Sequence, residues 1–369
     1  MMKSRIQRGF LAAFALLLVV TVAADSGPNH QQPSDQFGTS GGNINDITRR
    51  YCCSGTLGAL VKGGSSLYIL SNNHVLARTD QAGGGEDISQ PGLIDNGCRA
   101  GTIVADLTAY APLGSSNVDA GLAKLRTGAM DPTGRIMDIG VPSATTLAPS
   151  VGMSVQKSGR TTGRTTGSIG SINTNVSVQY QRNCGSGKKF LVRYTNQIVI
   201  NSSTFSAGGD SGSLILTNNS NRNPVGLLFA GSSSTTIANP INQVLSRLTS
   251  TLGATVSFNL SGATSTSTGS AQGGAGSTLP ANELARGTTA KENHADRLMG
   301  DPAIVGVGVG EDPAQPGRAA VIVYAQRGQA RAAIARDLDG VRTVVIETDP
   351  IVAYGWNTAM GGAASCAAR

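Results

Sequence analysis

Aromatic residues make up only 4% of this 369-residue chain, with one tryptophan, and charged residues only 14%. Such a composition, with 49 glycines, favours short strands joined by turns over long charged helices. The net charge of +7 falls to +4 once Lys3, Arg5 and Arg8 are set aside with an N-terminal export signal. No basic run is interleaved with aromatics, so nucleic-acid binding has no support. No Cys-x-x-Cys pair is present, which leaves zinc as the weaker reading of the cysteines. No repeat of solenoid type occurs. Beyond the N-terminus, no segment is apolar for the about 20 residues that a membrane-crossing helix needs.

Residues 1–24 read as a signal peptide: a basic start, an apolar stretch over 9–20, then Val22-Ala23-Ala24 before Asp25. The run is short for a span, so cleavage near Ala24 is expected rather than an anchor. No cysteine follows that point to carry a lipid. The expected location is secreted or periplasmic, with no stable membrane insertion after signal removal. Export permits disulfides among Cys52, Cys53, Cys98 and Cys184. A bond between the neighbours Cys52 and Cys53 is strained. Each is therefore expected to reach one of Cys98 and Cys184, in either of two schemes.

Residues 25–45 are polar and Gly/Pro/Ser-rich and read as a flexible lead-in. From 46 to 258, β-type runs follow one another closely. They lie at 56–61, 67–70, 102–105, 118–125, 154–157, 168–172, 176–180, 190–194, 197–200, 213–217, 225–230 and 235–238. Short strands without intervening helices predict antiparallel barrels or sandwiches. One helix closes this region, with Asn239 as its cap, Pro240 in its first turn and Ile241, Val244, Leu245 and Leu248 on one face. Residues 259–278 turn to Ser, Thr, Gly and Ala and read as a linker. A small α+β unit follows at 279–369, with strands expected at 304–309, 319–324 and 342–347 and a helix at 329–335.

Chemistry is concentrated in the unit 46–258. In Gly208-Gly209-Asp210-Ser211-Gly212-Ser213, a serine between glycines can expose its hydroxyl on a tight turn. Gly209 can adopt positive φ, which lets its N–H converge with that of Ser211 as a pair of oxyanion donors. A serine nucleophile needs a base at neutral pH. Of the three histidines, His30 lies in the lead-in and His294 beyond the linker, leaving His74 at the end of an apolar strand. The imidazole in turn needs an acceptor. Asp119 precedes the inward strand Ala120-Gly121-Leu122-Ala123-Lys124-Leu125, and Asp106 is its rival.

The segments Asn73-His74-Val75-Leu76, Val118-Asp119-Ala120-Gly121-Leu122 and Gly209-Asp210-Ser211-Gly212-Ser213 resemble the three signature segments of chymotrypsin-like serine peptidases, in that family's order. The resemblance implies an all-β fold of two six-stranded antiparallel barrels, with the small α+β unit appended. His74 and Asp119 would come from the first barrel and Ser211 from the second. It also implies that Phe205 sits at the base of the primary specificity pocket, against cleavage after Lys or Arg and favouring small or medium apolar side chains. Phe229, Ala230 and Gly231 would pair with the substrate backbone as an added strand.

Residues 89–98, Ser158-Gly159-Arg160-Thr161-Thr162-Gly163 and residues 205–213 further resemble bacterial relatives of the plant narrow-leaf serine peptidases. That group also carries a short module with a Val-Gly-Val-Gly run, similar to Val305–Gly308. The chain departs from the animal-type pattern in two ways. It has no Ile-Val-Gly-Gly-like start to pair with Asp210, so activity without zymogen cleavage is expected. Val75, not cysteine, follows His74. The function implied is a secreted serine endopeptidase acting on proteins or peptides, with no metal or organic cofactor. A catalytically silent peptide-binding relative and an esterase using the same triad are the alternatives.

Overall fold

A computed structural model describes residues 29–260 and 279–353; the segment expected to be an export signal, most of the expected linker and Cys366 lie outside the described residues. Seven strands come first: β1 (Thr39–Asn43), β2 (Gly55–Leu57), β3 (Ala59–Gly63), β4 (Ser66–Ser71), β5 (Asp87–Gln90), β6 (Thr102–Tyr110) and β7 (Gly121–Leu125). The single-turn helix α1 (Asn73–Leu76) interrupts them after β4. They pair in the order β3-β4-β7-β6-β5-β1-β2. Because β2 and β3 are one run of chain bent at Gly58, the two ends of that order belong to the same strand, and the sheet closes into a six-stranded barrel. A Cβ at Gly58 would fall 1.8 Å from the carbonyl oxygen of Gly212, so the bend also lets the two halves of the molecule touch. Leu57, Leu70, Leu76, Ile88 and Leu122 fill the interior.

The second half contains β8 (Ser154–Gly159), β9 (Gly163–Ser168), β10 (Ser171–Asn183), β11 (Ser186–Asn201), β12 (Leu214–Thr217), β13 (Pro224–Gly231) and β14 (Thr235–Pro240). Their order includes the run β11-β14-β13-β12-β8-β9. Gly170, just past β9, donates its N–H to the carbonyl of Val199 on β11 at 2.9 Å and brings the far edge round. The double antiparallel barrel expected of this chain is thus the fold it adopts. Helix α2 (Ile241–Leu252) then returns to the first barrel, where Ile241, Val244 and Leu248 join its core. Strand β15 (Val256–Ser257) follows it and adds beside β3. Asn239 does not cap α2 as expected; its side chain is engaged elsewhere, described below.

The C-terminal residues form α3 (Ala281–Leu298), β16 (Ile304–Glu311), β17 (Ala319–Gln326), β18 (Asp337–Leu338), β19 (Val341–Thr348) and β20 (Val352–Ala353). The three expected strands are present. The helix expected at 329–335 is not: that stretch has no regular structure, and Asp301 Oδ2 accepts the N–H of Ala332 at 2.9 Å. The helix of this unit is α3. Its buried face carries Gly287, Ala290 and Ala295, small residues that leave little apolar periodicity to read. A Cβ at Gly287 would approach Val309 Cγ1 to 2.8 Å, so the helix packs tightly on β16. Strand β16 also pairs antiparallel with β10, joining Ile172 to Val309 and Val176 to Gly306.

The lead-in differs from its reading as a flexible segment. β1 lies within it, paired with β2 and β5 and buried along its whole length. His30 is 3% exposed, with Nδ1 2.8 Å from the Gly38 carbonyl and Nε2 2.9 Å from Asp138 Oδ2. Composition misleads here because strand pairing, not apolar side chains, holds the segment.

Candidate active site

Strand β4 ends at Ser71, and the chain turns at once into α1, which carries His74 to the inner end of the first barrel. Asn73 fixes this turn, its amide donating to the Ala111 carbonyl (2.8 Å) and to Asp80 Oδ1 (2.6 Å). His74 is 3% exposed and Asp119, just before β7, is 0% exposed. Nδ1 of His74 lies 2.6 Å from Oδ2 of Asp119, and the backbone N–H of His74 donates to Oδ1 at 3.3 Å. Asp119 is clamped through its backbone as well. Its N–H donates to Asn239 Oδ1 (2.9 Å), and its carbonyl accepts from Asn72 Nδ2 (2.7 Å). Asn239 therefore ties the first barrel to the end of β14, in place of capping α2. Asp106 stands apart at the surface of β6, paired with Arg126 at 2.6 Å.

Two tyrosines complete this buried carboxylate's surroundings. Tyr180 on β10 donates its phenol to Asp119 Oδ2 at 2.8 Å, and Tyr194 on β11 lies 2.8 Å from the Tyr180 oxygen. Burial, followed by the charge of Asp119, pushes the Tyr180 phenol well above its ordinary range, so it remains a donor. A buried carboxylate without such donors is costly. The ring of Tyr180 also stands edge-on to His74, with centroids 6.1 Å apart.

Ser211 is carried on the loop between β11 and β12 and is fully buried. The first barrel holds this loop: Thr56 donates its N–H to the Ser211 carbonyl (2.8 Å) and its hydroxyl to the Gly209 carbonyl (2.9 Å). Gly209 has φ +97°, the left-handed geometry expected of it. Among the described residues, nothing accepts a hydrogen bond from the N–H of Gly209 or Ser211. The Ser211 hydroxyl donates to the Phe229 carbonyl at 3.3 Å, and Nε2 of His74 is buried without a partner.

Asp210 points away from solvent into a pocket of donors. It accepts from the N–H groups of Thr161 (2.8 Å), Thr162 (3.2 Å) and Ala207 (2.9 Å), and from the Thr162 hydroxyl (2.7 Å). Lys157 on β8 supplies the cation, with Nζ 3.3 Å from Asp210 Oδ2 and both side chains fully buried. Burial pushes the Lys157 ammonium down, and the carboxylate of Asp210 opposes that shift. The sequence has no Ile-Val-Gly-Gly-like start to pair with Asp210, and the internal Lys157 is its cationic partner, a pairing that no local pattern marks.

The remaining expected residues fall in two places. Phe205 is fully buried in the second barrel's core with Val155, Ile200 and Ile215. Phe229, Ala230 and Gly231 close β13, next to Ser211, and are buried too. The Arg160–Arg164 run is the β8–β9 hairpin; Arg160 forms a bidentate pair with Asp95, both contacts at 2.6 Å. The cysteines pair as Cys52–Cys98 and Cys53–Cys184, one of the two open schemes, which removes them as zinc ligands. His74, Asp119 and Tyr180 thus contact one another, and the segments carrying His74 and Ser211 both pack at Gly55, where a Cβ would fall 2.5 Å from Val75 Cγ2 and 2.9 Å from the Ser211 carbonyl oxygen. Tyr180, Tyr194, Lys157 and Thr56 were missed. The alternation of buried Val176, Val178 and Tyr180 shows an inward face in the sequence, but not what the phenol meets.

Among known proteins, a family model described as the Nal1 C-terminal domain matches residues 101–251, under half of the chain. No curated protein matches. Solved structures that resemble the chain include a glutamic-acid-specific serine protease that utilises a histidine triad in substrate binding. It is 22% identical over 57% of this chain and 96% of its own, with a TM-score of 0.39. Thermobifida fusca protease A is 21% identical over 58% and 95%, at 0.38. Cellulomonas bogoriensis chymotrypsin is 18% identical over 58% and 94%, at 0.39. The two barrels stand on the strand order above, and the chemistry on the distances, rather than on these likenesses. No helix of the described residues is long and apolar enough to cross a membrane.

Proposed function

We propose that the chain is an exported serine endopeptidase that hydrolyses peptide bonds through an acyl-enzyme on Ser211. The observation that carries this reading is the buried contact of 2.6 Å between His74 Nδ1 and Asp119 Oδ2, with Nε2 left without a hydrogen-bond partner. Asp119 holds the imidazole in the tautomer that carries its proton on Nδ1, so the lone pair sits on Nε2. The Ser211 hydroxyl makes a long bond of 3.3 Å to the Phe229 carbonyl, and in the proposed reaction it gives that bond up for one to Nε2.

In the proposed reaction, Ser211 Oγ attacks the peptide carbonyl while its proton passes to Nε2. The carbonyl oxygen, now negative, is received by the N–H groups of Gly209 and Ser211, an effect of about 3–4 kcal/mol for one such donor. His74 returns the proton to the leaving amine, and the C–N bond breaks. Water then repeats the sequence against the ester: His74 takes its proton, the acid is released and Ser211 regains its hydrogen. The Lys157–Asp210 pair supports a serine loop ordered without proteolytic activation.

The two disulfides support export to a secreted or periplasmic setting. The substrates are proteins or peptides with small or medium apolar side chains at the cleavage position, read from Phe205. The finer kinship with bacterial relatives of narrow-leaf peptidases rests on the sequence runs quoted above. The bond from Ser211 to Phe229 instead of His74 is what a silent, peptide-binding relative would also display, and one experiment separates the two. The intact protein should be labelled on Ser211 by an organophosphonate, and Ser211→Ala should abolish labelling while keeping its thermal melt. Labelling that persists in the variant overturns the assignment; a folded intact protein that never reacts favours the silent binder.

A further inference from the structure

The last described strand, β20, occupies the edge that a substrate would need. On its inner side, the end of β13 pairs with β14, joining Ala230 to Ile237 and Gly231 to Thr236. On its other side the pairing of β13 with β12 ends at Leu227. That leaves the Ala230–Gly231 edge open, and β20 fills it: Ala353 lies opposite Ala230 and Val352 opposite Gly231, antiparallel. Strand β10 holds the segment from behind. Gln179 is paired with Val352, and its N–H donates to the Ile351 carbonyl at 2.9 Å. Ile351 and Ala353 are buried in the same apolar cluster as Tyr180, Phe229 and Ala230. Just upstream, the Thr348 hydroxyl lies 2.6 Å from that of Ser232, and Ser233 donates to Asp349.

The direction of the strand matters as much as its place. From Val352 to Ala353 the chain advances from Gly231 towards Phe229, whose carbonyl accepts the Ser211 hydroxyl. An acyl donor must enter with the residues N-terminal to its scissile bond on this edge and its C-terminal direction towards the nucleophile. The segment has that polarity. Ser211 has no exposed surface, and Nε2 of His74 is sealed without a partner.

Resting on the peptidase reading above, we propose that Ile351–Ala353 is a substrate-like strand of the chain itself that closes the peptide-binding edge of β13 and holds the enzyme latent. The surface it covers fits an extended peptide with branched or small aliphatic side chains. A free substrate competes with a tethered one, so the apparent affinity of any peptide falls by the fraction of molecules in which the segment has lifted.

The test compares labelling rates of Ser211 by a fluorophosphonate in three full-length proteins: the intact chain, Val352→Pro, and Ser233→Ala combined with Asp349→Ala. Proline removes the N–H of Val352 and weakens a strand buried between two partners. The double variant changes two exposed positions and leaves the sheet intact, so it serves if the proline variant does not fold. Expected are a rise of at least about tenfold for Val352→Pro and about twofold to fivefold for the double variant, both released from competition. The blocked peptide acetyl-Ile-Val-Ala-amide should slow the released variants again, and its scrambled form should not. Equal rates in all folded proteins, with no effect of the peptide, overturn the latency while leaving the peptidase reading in place. No labelling of any folded form removes both.

Discussion

At the scale of single residues, the arrangement around Asp119 was only partly legible. His74 and Asp119 could be chosen because the unit 46–258 offers one well-placed histidine and one aspartate leading an inward strand. Tyr180 could not, because a tyrosine on an alternating strand is ordinarily a core residue, and its phenol finds Asp119 across 61 positions of chain. We expect Tyr180→Phe to lower the rate of Ser211 labelling at neutral pH by about fivefold to thirtyfold, equivalent to about 1–2 kcal/mol for a hydrogen bond to a charged group. A Tyr180→Phe variant that labels at the parent rate would mark Tyr180 as packing alone.

At the scale of elements, most strands of the two barrels were visible in the sequence, since alternation and Gly/Asn/Ser turns are local signals, but β1, β5 and β15 were not. Two helices of the same chain divide instructively. Helix α2 could be read from Ile241, Val244 and Leu248, but α3 buries glycine and alanine, whose fit depends on the β16 surface opposite. The β8–β9 hairpin is an element with a task, because it brings Lys157 beneath the serine loop. Replacing one member of a buried ion pair leaves the other charge uncompensated, at about 3–5 kcal/mol. Lys157→Met should therefore lower the thermal melt by many degrees and slow labelling of Ser211. Lys157→Met with Asp210→Asn should recover much of the stability, read by the same melt. A single variant as stable as the parent would remove the lysine from this role.

At the scale of the whole molecule, the two barrels are joined by Thr56, by the end of β14 at Asn239 and by the Cys53–Cys184 bond. Asp46 is buried beside this last junction, its carboxylate within 4.8 Å of both sulfurs. Burial raises its pKa from 3.8 to about 7, against the pull of Arg78 and His74. The folded state thus favours the protonated acid. That contribution is complete below about pH 4 and is lost as pH rises through about 7. Asp46→Asn should match the parent at pH 4 and exceed it at pH 8, by up to about 4 kcal/mol in unfolding experiments. Parallel stability curves for the two proteins across that range would contradict it.

Taken by itself, the sequence determined the strand content and singled out three residues whose chemistry is scarce enough to name, while the choice of two barrels over sandwiches came from the resemblance of three segments to chymotrypsin-like peptidases. Strand content is written in periodicity, and the choice of histidine in its rarity. The tertiary structure alone decided which cysteines pair, that Lys157 meets Asp210, that Tyr180 meets Asp119 and that β20 lies along β13. Each of these joins segments far apart in the chain, and no local pattern records which of many chemically acceptable partners the closed barrels will bring within hydrogen-bonding distance.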